Sequence, residues 1–299
     1  MAAPIPTPKT ASHTRSISLP TRSHPLTLCV EQQLNRIRTT GVASKPSSST
    51  SVCHSLSGLK DLYQCVDDML HAQLAQQSLS SEQHGRCMED VLDRSISYMD
   101  VCSATRDILS LMRGSVQNLE SSLRRRRGED CGYANEISEY MVCRKKVNKM
   151  AGKCIGNLKK LVKHHGSVHL DGERSLSAMI AIGVLREVEE VSFRVLESFL
   201  YFISKPRAVL TQSNWFRVSK LMQSKRVACE GEQQNCDEVD KVDAALDALK
   251  CHSNVKQMQN VLKPLEALEL SFQEIEEELD SVLRCLIRIR VSLLNVLSH

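Results

Sequence analysis

The stretch from Pro264 to Ser298 constrains the chain more than any other. Apolar side chains recur there at alternating spacings of three and four: Leu265, Leu268, Phe272, Ile275, Leu279, Val282, Leu286, Ile289, Leu293 and Val296. Such a run predicts one long helix with a continuous buried seam. At ~1.5 Å per residue the helix is roughly 50 Å long. Pro264 is expected in its first turn, where a missing N–H costs nothing. Acids crowd the first half (Glu266, Glu269, Glu274, Glu276, Glu277, Glu278, Asp280) and bases the second (Arg284, Arg288, Arg290), an order that complements the helix dipole. Off the seam, Leu283, Ile287, Val291, Leu294 and Leu297 make the second half apolar nearly all round. A helix of that kind has to be buried on most sides. Leu279–Leu297 is therefore expected at the centre of a bundle built by this same chain, with Pro264–Glu278 at its rim.

The same periodicity fills most of the remaining chain. Leu26, Val30, Leu34 and Ile37 share a face over 26–39, and Leu56, Leu59, Leu62, Tyr63, Val66, Met69 and Leu70 share another. Residues 81–127 read as a long helix whose seam runs Met88, Val91, Ser95, Tyr98, Cys102, Thr105, Leu109, Met112, Val116, Leu119 and Leu123. Ser95 and Thr105 soften its middle. Further helices are expected at 136–163, 174–204 and 238–262, and no useful strand-like alternation occurs. Gly152 and Gly156, four apart, are expected to admit a close helix crossing. Aromatics make up only 4% of the chain, with a single Trp at 215, so aliphatic side chains must build the core. The fold class is all-α: an elongated antiparallel multi-helix bundle of long helices with a disordered N-terminal tail. Residues 1–25 form that Ser/Thr/Pro-rich basic tail, 26–52 a short helix plus Ser-rich linker, and 53–299 a single helical-bundle domain.

The twelve cysteines contain no C-x-x-C, and most interrupt helical patterns, as at Cys102, Cys154 and Cys285. They read as reduced, structural thiols. No zinc spacing is present, so no metal or other cofactor is expected. The most apolar stretch, Met179 to Ile203, is broken by Arg186, Glu187, Glu189, Glu190, Arg194 and Glu197, which disfavours a membrane span. The N-terminus also lacks the basic-then-apolar order of a secretory signal.

Charge is divided along the chain although its total is only +4. Residues 124–165 hold twelve Lys/Arg against four acids, and residues 228–280 hold fourteen acids against four Lys. One reading is intramolecular, with the basic helix and the acidic arm neutralising each other. The other is an anionic partner, for which Arg124, Arg125, Arg126, Arg127, Arg144, Lys145, Lys146, Lys149 and Lys153 are the candidate contacts. Nucleic acid fits least, because the basic stretch has no interleaved aromatics for stacking. In the tail, Arg15, Ser16, Ser18 and Pro20 form R-S-x-S-x-P. Phosphorylated Ser18 would suit an Arg-cluster reader of the 14-3-3 type.

Catalytic patterns are lacking: there is no phosphate-cradling Gly-rich loop, nucleophile elbow or H-E-x-x-H. His164 and His165 are placed at a helix end among lysines, and Glu276 and Asp280 on a solvated face. No catalytic residue is assigned.

Several landmarks together carry a family resemblance. They are His13-Thr14-Arg15-Ser16-Ile17-Ser18-Leu19-Pro20 followed by Thr21-Arg22-Ser23-His24-Pro25, and Gly58-Leu59-Lys60-Asp61-Leu62-Tyr63. Leu123-Arg124-Arg125-Arg126-Arg127-Gly128, Arg144-Lys145-Lys146-Val147 and Arg290-Val291-Ser292-Leu293-Leu294-Asn295 complete the set. In their order and spacing the chain resembles the BYPASS-related proteins of land plants. The resemblance implies a helical plant protein without known catalytic activity and with a role in root and shoot development. The expected function is accordingly a non-enzymatic regulatory protein acting through helix-mediated partner binding, with a phospho-switch in the tail. The alternative is a peripheral membrane protein using the basic 124–163 face, and the third reading an all-α enzyme. A monomeric, cytoplasmic bundle is expected. Membrane-peripheral, nuclear and plastid placements stay open, because Arg124–Arg127 fits an import signal and the acid-poor tail a transit peptide.

Overall fold

The structure is a computed structural model that describes residues 25–40, 48–72, 85–125, 133–163, 176–204, 238–251 and 255–299. Seven helices make up the described residues, with no strand among them: α1 (Pro25–Thr40), α2 (Ser49–His71), α3 (Gly85–Arg125), α4 (Ala134–Lys163), α5 (Leu176–Ser204), α6 (Glu238–Cys251) and α7 (Val255–Ser298). The all-α bundle expected from the periodicity is the observed fold.

The last helix packs on α2, α3 and α6. Every predicted seam residue from Leu265 to Val296 is buried, the first six completely. The helix is longer than expected. It begins at Val255, so Pro264 sits inside it rather than in its first turn, and α6 ends at Cys251 rather than near 262. Proline there cannot donate to the carbonyl of Asn260. Val261, Leu265 and Leu268 on either side are fully buried, and that packing holds the helix through the lost bond.

Polar contacts fix the directions of its neighbours. Arg124 pairs with Glu266, Arg113 with Glu276 at 2.8 Å, and Arg106 with Asp280 at 3.0 Å, so α3 runs antiparallel to α7. On the opposite flank, Lys60 meets Glu278 at 3.4 Å and Ser292 donates to the buried Asp67 at 2.7 Å, so α2 runs parallel to it. Glu276 and Asp280 are therefore not on a solvated face; each is clasped by an arginine of α3. The soft middle of α3 also finds its reason. Thr105, fully buried, returns its hydroxyl to Val101 O at 2.7 Å, and Ser95 Oγ accepts from Arg290 at 2.7 Å while donating to Leu92 O.

α5 closes the other side. Tyr63 donates to Ser192 Oγ at 2.7 Å, Tyr98 donates to Ser192 O at 3.2 Å, and Ser192 Oγ donates to Val188 O at 2.7 Å. One small polar position on α5 thus satisfies two buried tyrosines from α2 and α3, as buried hydroxyls require. α1 lies antiparallel on α2 and also packs on α5, burying Val30, Leu34 and Ile37. The approach is close at Gly58, where a Cβ would meet Ile37 Cγ1 at 3.3 Å. Gly152 and Gly156, expected at a crossing, face open space. Cys29 and Cys65 are joined as a disulfide between α1 and α2, with Cα atoms 6.1 Å apart, a departure from thiols throughout. Among the described residues Cys53, Cys102, Cys143, Cys154 and Cys285 remain free.

Three apolar residues of α7 depart from the sequence expectation. Ile287, Val291 and Leu294 are 52%, 51% and 43% exposed. With α2 and α3 on its flanks, the helix keeps one outward face on which these three fall, while Leu283 and Leu297 are partly buried against the core.

Beside the tyrosines, Arg94 Nε stands 3.2 Å from Glu189 Oε2 at the edge of a cavity of about 50 Å3. Burial pushes the Glu189 carboxyl up to about 7, the nearby Asp90 adding to this and Arg94 and Arg186 opposing it. The folded chain holds this proton more tightly than the unfolded one, so the contribution to stability is full below ~pH 4.5 and is lost as pH rises towards 7. The unfolding free energy of the wild type from urea titrations should fall across pH 5–7.5 by an amount on the order of 2–3 kcal/mol from this group. In Glu189→Gln, which cannot ionise, that part of the slope should vanish.

Candidate functional site

Among the described residues, much of the charge of α3 and α7 is paired internally, whereas α4 keeps a row of lysines outside such pairs. The helix buries Ile137, Tyr140, Val147, Ala151, Ile155 and Leu158 against α3 and α5. That inner stripe directs Val142, Lys145, Lys146, Lys149, Lys153, Lys160 and Lys163 outward, all exposed. At ~100° per residue they fall on one side of the helix, and from Val142 to Lys163 the strip is roughly 30 Å long. Lys145, Lys146, Lys149, Lys153, Lys160 and Lys163 make no ion pair among the described residues. Lys159, to one side of the strip, is different. It pairs with Glu197 at 3.3 Å, its Nζ donates to Tyr201 Oη at 3.1 Å, and these contacts, the tyrosine foremost, raise its pKa.

Arg144 is not part of this surface, contrary to its assignment from the sequence. Its side chain is almost wholly buried, donating to Ile203 O at 2.6 Å and lying 3.4 Å from Asp243 Oδ2. Tyr140 donates to the other carboxylate oxygen at 3.4 Å. Burial first, and then Asp243, push the Tyr140 phenol above its ordinary range. Arg144 thus serves two unmet needs at once. Ile203 is in the last turn of α5, where carbonyls have no intrahelical donor, and Asp243 of α6 is a buried carboxylate. Charge alone groups Arg144 with Lys145 and Lys146. Helical phase separates it, because it lies four residues after Tyr140 and three before Val147.

The other predicted contacts divide in the same way. Arg124 is held by Glu120 at 2.5 Å and by Glu266, while Arg125 is exposed beside Ser122. Arg126 and Arg127 lie outside the described residues, as do Arg15, Ser16, Ser18 and Pro20 of the tail, His164, His165 and Trp215. Lys160 and Lys163, not among the predicted contacts, extend the strip, and the period that orients Lys149 and Lys153 already points to Lys160.

A groove of about 530 Å3 lies between α3 and α4, lined by Asp107, Gly114, Asn118, Glu136, Glu139 and Cys143 among others. Its thiol is engaged in a contact with Leu111 O at 3.7 Å. Elsewhere burial pushes the Cys102 thiol up to about 12 and the Cys53 thiol up to about 11, with Glu274 and Glu278 adding to the latter. Raised thiols of this kind are poor nucleophiles. No cluster of metal-ligating side chains occurs among the described residues. No described helix is long and apolar enough to cross a membrane.

The two kinds of cation on α4 should behave oppositely when removed. Arg144→Ala strands Asp243 and should cost ~3–5 kcal/mol of stability in urea unfolding. Lys149→Ala should stay within about 0.5 kcal/mol of the wild type.

No curated protein and no solved structure shows significant similarity to the chain. A family model described as Protein BPS1, however, matches residues 55–296, which takes in α2 to α7 from Ser55 onward, including the α4 strip and the α7 seam. The chain therefore belongs to the BPS1, or BYPASS, family, a membership that fits a regulator of plant development.

Proposed function

We propose that the protein is a non-enzymatic regulator in root and shoot development that works by recognition through helix faces, and that the lysine face of α4 docks it on an anionic membrane surface. One observation carries this reading: six lysines share one exposed side of a helix without an ion pair among the described residues. Glu266, Glu276, Glu278 and Asp280 of α7 do not compensate them, because these are taken by Arg124, Arg113, Lys60 and Arg106. Lysines near an anionic surface contribute roughly 1 kcal/mol each, so a strip of this size suffices for reversible attachment of a folded domain. The exposed Val142, on the same side, adds an apolar contact at the headgroup level. The strip carries no aromatic side chain for base stacking, which favours a membrane over single-stranded nucleic acid. The R-S-x-S-x-P order around Ser18 supports a phospho-dependent protein reader as the control on that docking.

Sedimentation with liposomes tests the reading. The full chain should pellet with vesicles containing phosphatidylserine and phosphoinositide, stay in solution with neutral phosphatidylcholine vesicles, and lose binding steeply as salt rises. Changing Lys145, Lys146, Lys149 and Lys153 together to Gln should weaken binding at least tenfold while leaving the thermal midpoint unchanged. Failure of the wild type to bind at low salt, or tighter binding to nucleic acid than to the vesicles, would overturn the proposal.

A further inference from the structure

The outward face of α7 has a composition that the fold does not use. Leu270 is 63% exposed there, and Ile287, Val291 and Leu294 follow it along the helix. Between these lie Glu274, Glu277, Arg284 and Arg288, all exposed and none in an ion pair among the described residues. Their contacts are weaker ones: Gln273 donates to Glu277 at 3.3 Å, Arg284 to Ser281 at 2.9 Å and Arg288 to Gln64 at 3.1 Å. The acids turned towards the flanks of the helix are matched, by contrast: Glu266, Glu276, Glu278 and Asp280 by bases of α2 or α3, and Glu269 by the Gln117 amide at 2.6 Å. The outer face thus keeps a divided charge pattern, acidic before Asp280 and basic after it, interleaved with large apolar side chains.

A pattern of this kind is complementary to itself when reversed. We infer that α7 is the interface of an antiparallel homodimer, two copies meeting along this face and centred between Asp280 and Ser281. In that register Glu277 lies opposite the partner's Arg284, and Gln273 opposite the partner's Arg288. Leu270 lies opposite the partner's Val291, and Ala267 opposite the partner's Leu294. Two-fold symmetry makes each contact twice, as an isologous interface requires. The face returns every seven residues through Leu270, Glu277, Arg284 and Val291, the spacing at which two helices stay in register over several turns. A parallel pair would set Glu277 against Glu277 and Arg284 against Arg284, so like-charge repulsion selects the antiparallel arrangement. Because α4 packs on α3 and α5 while this face belongs to α7, the dimer leaves the lysine strip free, and neither proposal depends on the other.

Sedimentation velocity across a concentration series, run on the full chain, tests the inference. The wild type should approach twice the 33.5 kDa chain mass as concentration rises. Glu277→Arg or Arg284→Glu alone should weaken self-association at least tenfold, since each sets like charges face to face. The combined Glu277→Arg, Arg284→Glu chain should recover it, because the pair is then exchanged rather than broken. All of these residues are exposed, and circular dichroism melts should match the wild type. A chain that stays monomeric at the highest concentration, single reversals that leave association unchanged, or a double variant as weak as the singles would each overturn the proposal.

Discussion

Burial of the inner stripe of α7 is the constraint on which the rest of the bundle depends. Ten large apolar side chains on one helix go into the core, each worth about 1.5–3 kcal/mol when taken from water. The ion pairs that line its flanks are worth far less, about 0–1 kcal/mol each where solvent reaches them. Apolar burial therefore supplies the energy, and the salt bridges set direction: they distinguish an antiparallel α3 from a parallel α2. Several of the buried polar contacts join elements that are distant in sequence, as with Tyr63 and Ser192, Ser292 and Asp67, and Arg144 and Ile203. Leaving any of them unmatched inside the core costs more than the contact itself is worth.

That division of labour decides which surfaces are left for function. Four acids of the arm are taken by the arginines of α3 and by Lys60, and Asp243 by Arg144, while six lysines of α4 make no ion pair among the described residues. The intramolecular neutralisation expected from the sequence does occur, but it reaches Arg124 and Arg144 and stops before the lysines. The outward face of α7 is the second surplus, since three helices packed on one stripe cannot cover the whole circumference of a fourth.

How much of this was legible depended on period. The α7 seam, the α3 seam with its soft middle and the ends of α4 and α5 follow from apolar spacing, which a single chain displays directly. Pro264 misled because its local rule, a place in the first turn, yields to packing on both sides. Arg144 misled because it was grouped by charge with Lys145, whereas its phase, shared with Tyr140 and Val147, points inward. Hydrophobicity alone places Ile287, Val291 and Leu294 inside, but their burial depends on how many helices surround α7, which no local pattern displays. Tertiary partners such as Glu276 with Arg113, or Ser192 with Tyr63, join residues far apart in the chain, and no local pattern announces them. The α4 lysine strip lay between these cases: its charge was evident, and its freedom from partners was not.

Hydrogen exchange followed by mass spectrometry under native conditions tests the spine most directly. If α7 organises the bundle, backbone amides from Leu265 to Leu293 should exchange only through global unfolding, together with the facing stretches of α2 and α3. The edge helices α1 and α6 should open earlier. Exchange of α7 at rates like those of α1, well ahead of α2 and α3, would contradict the account.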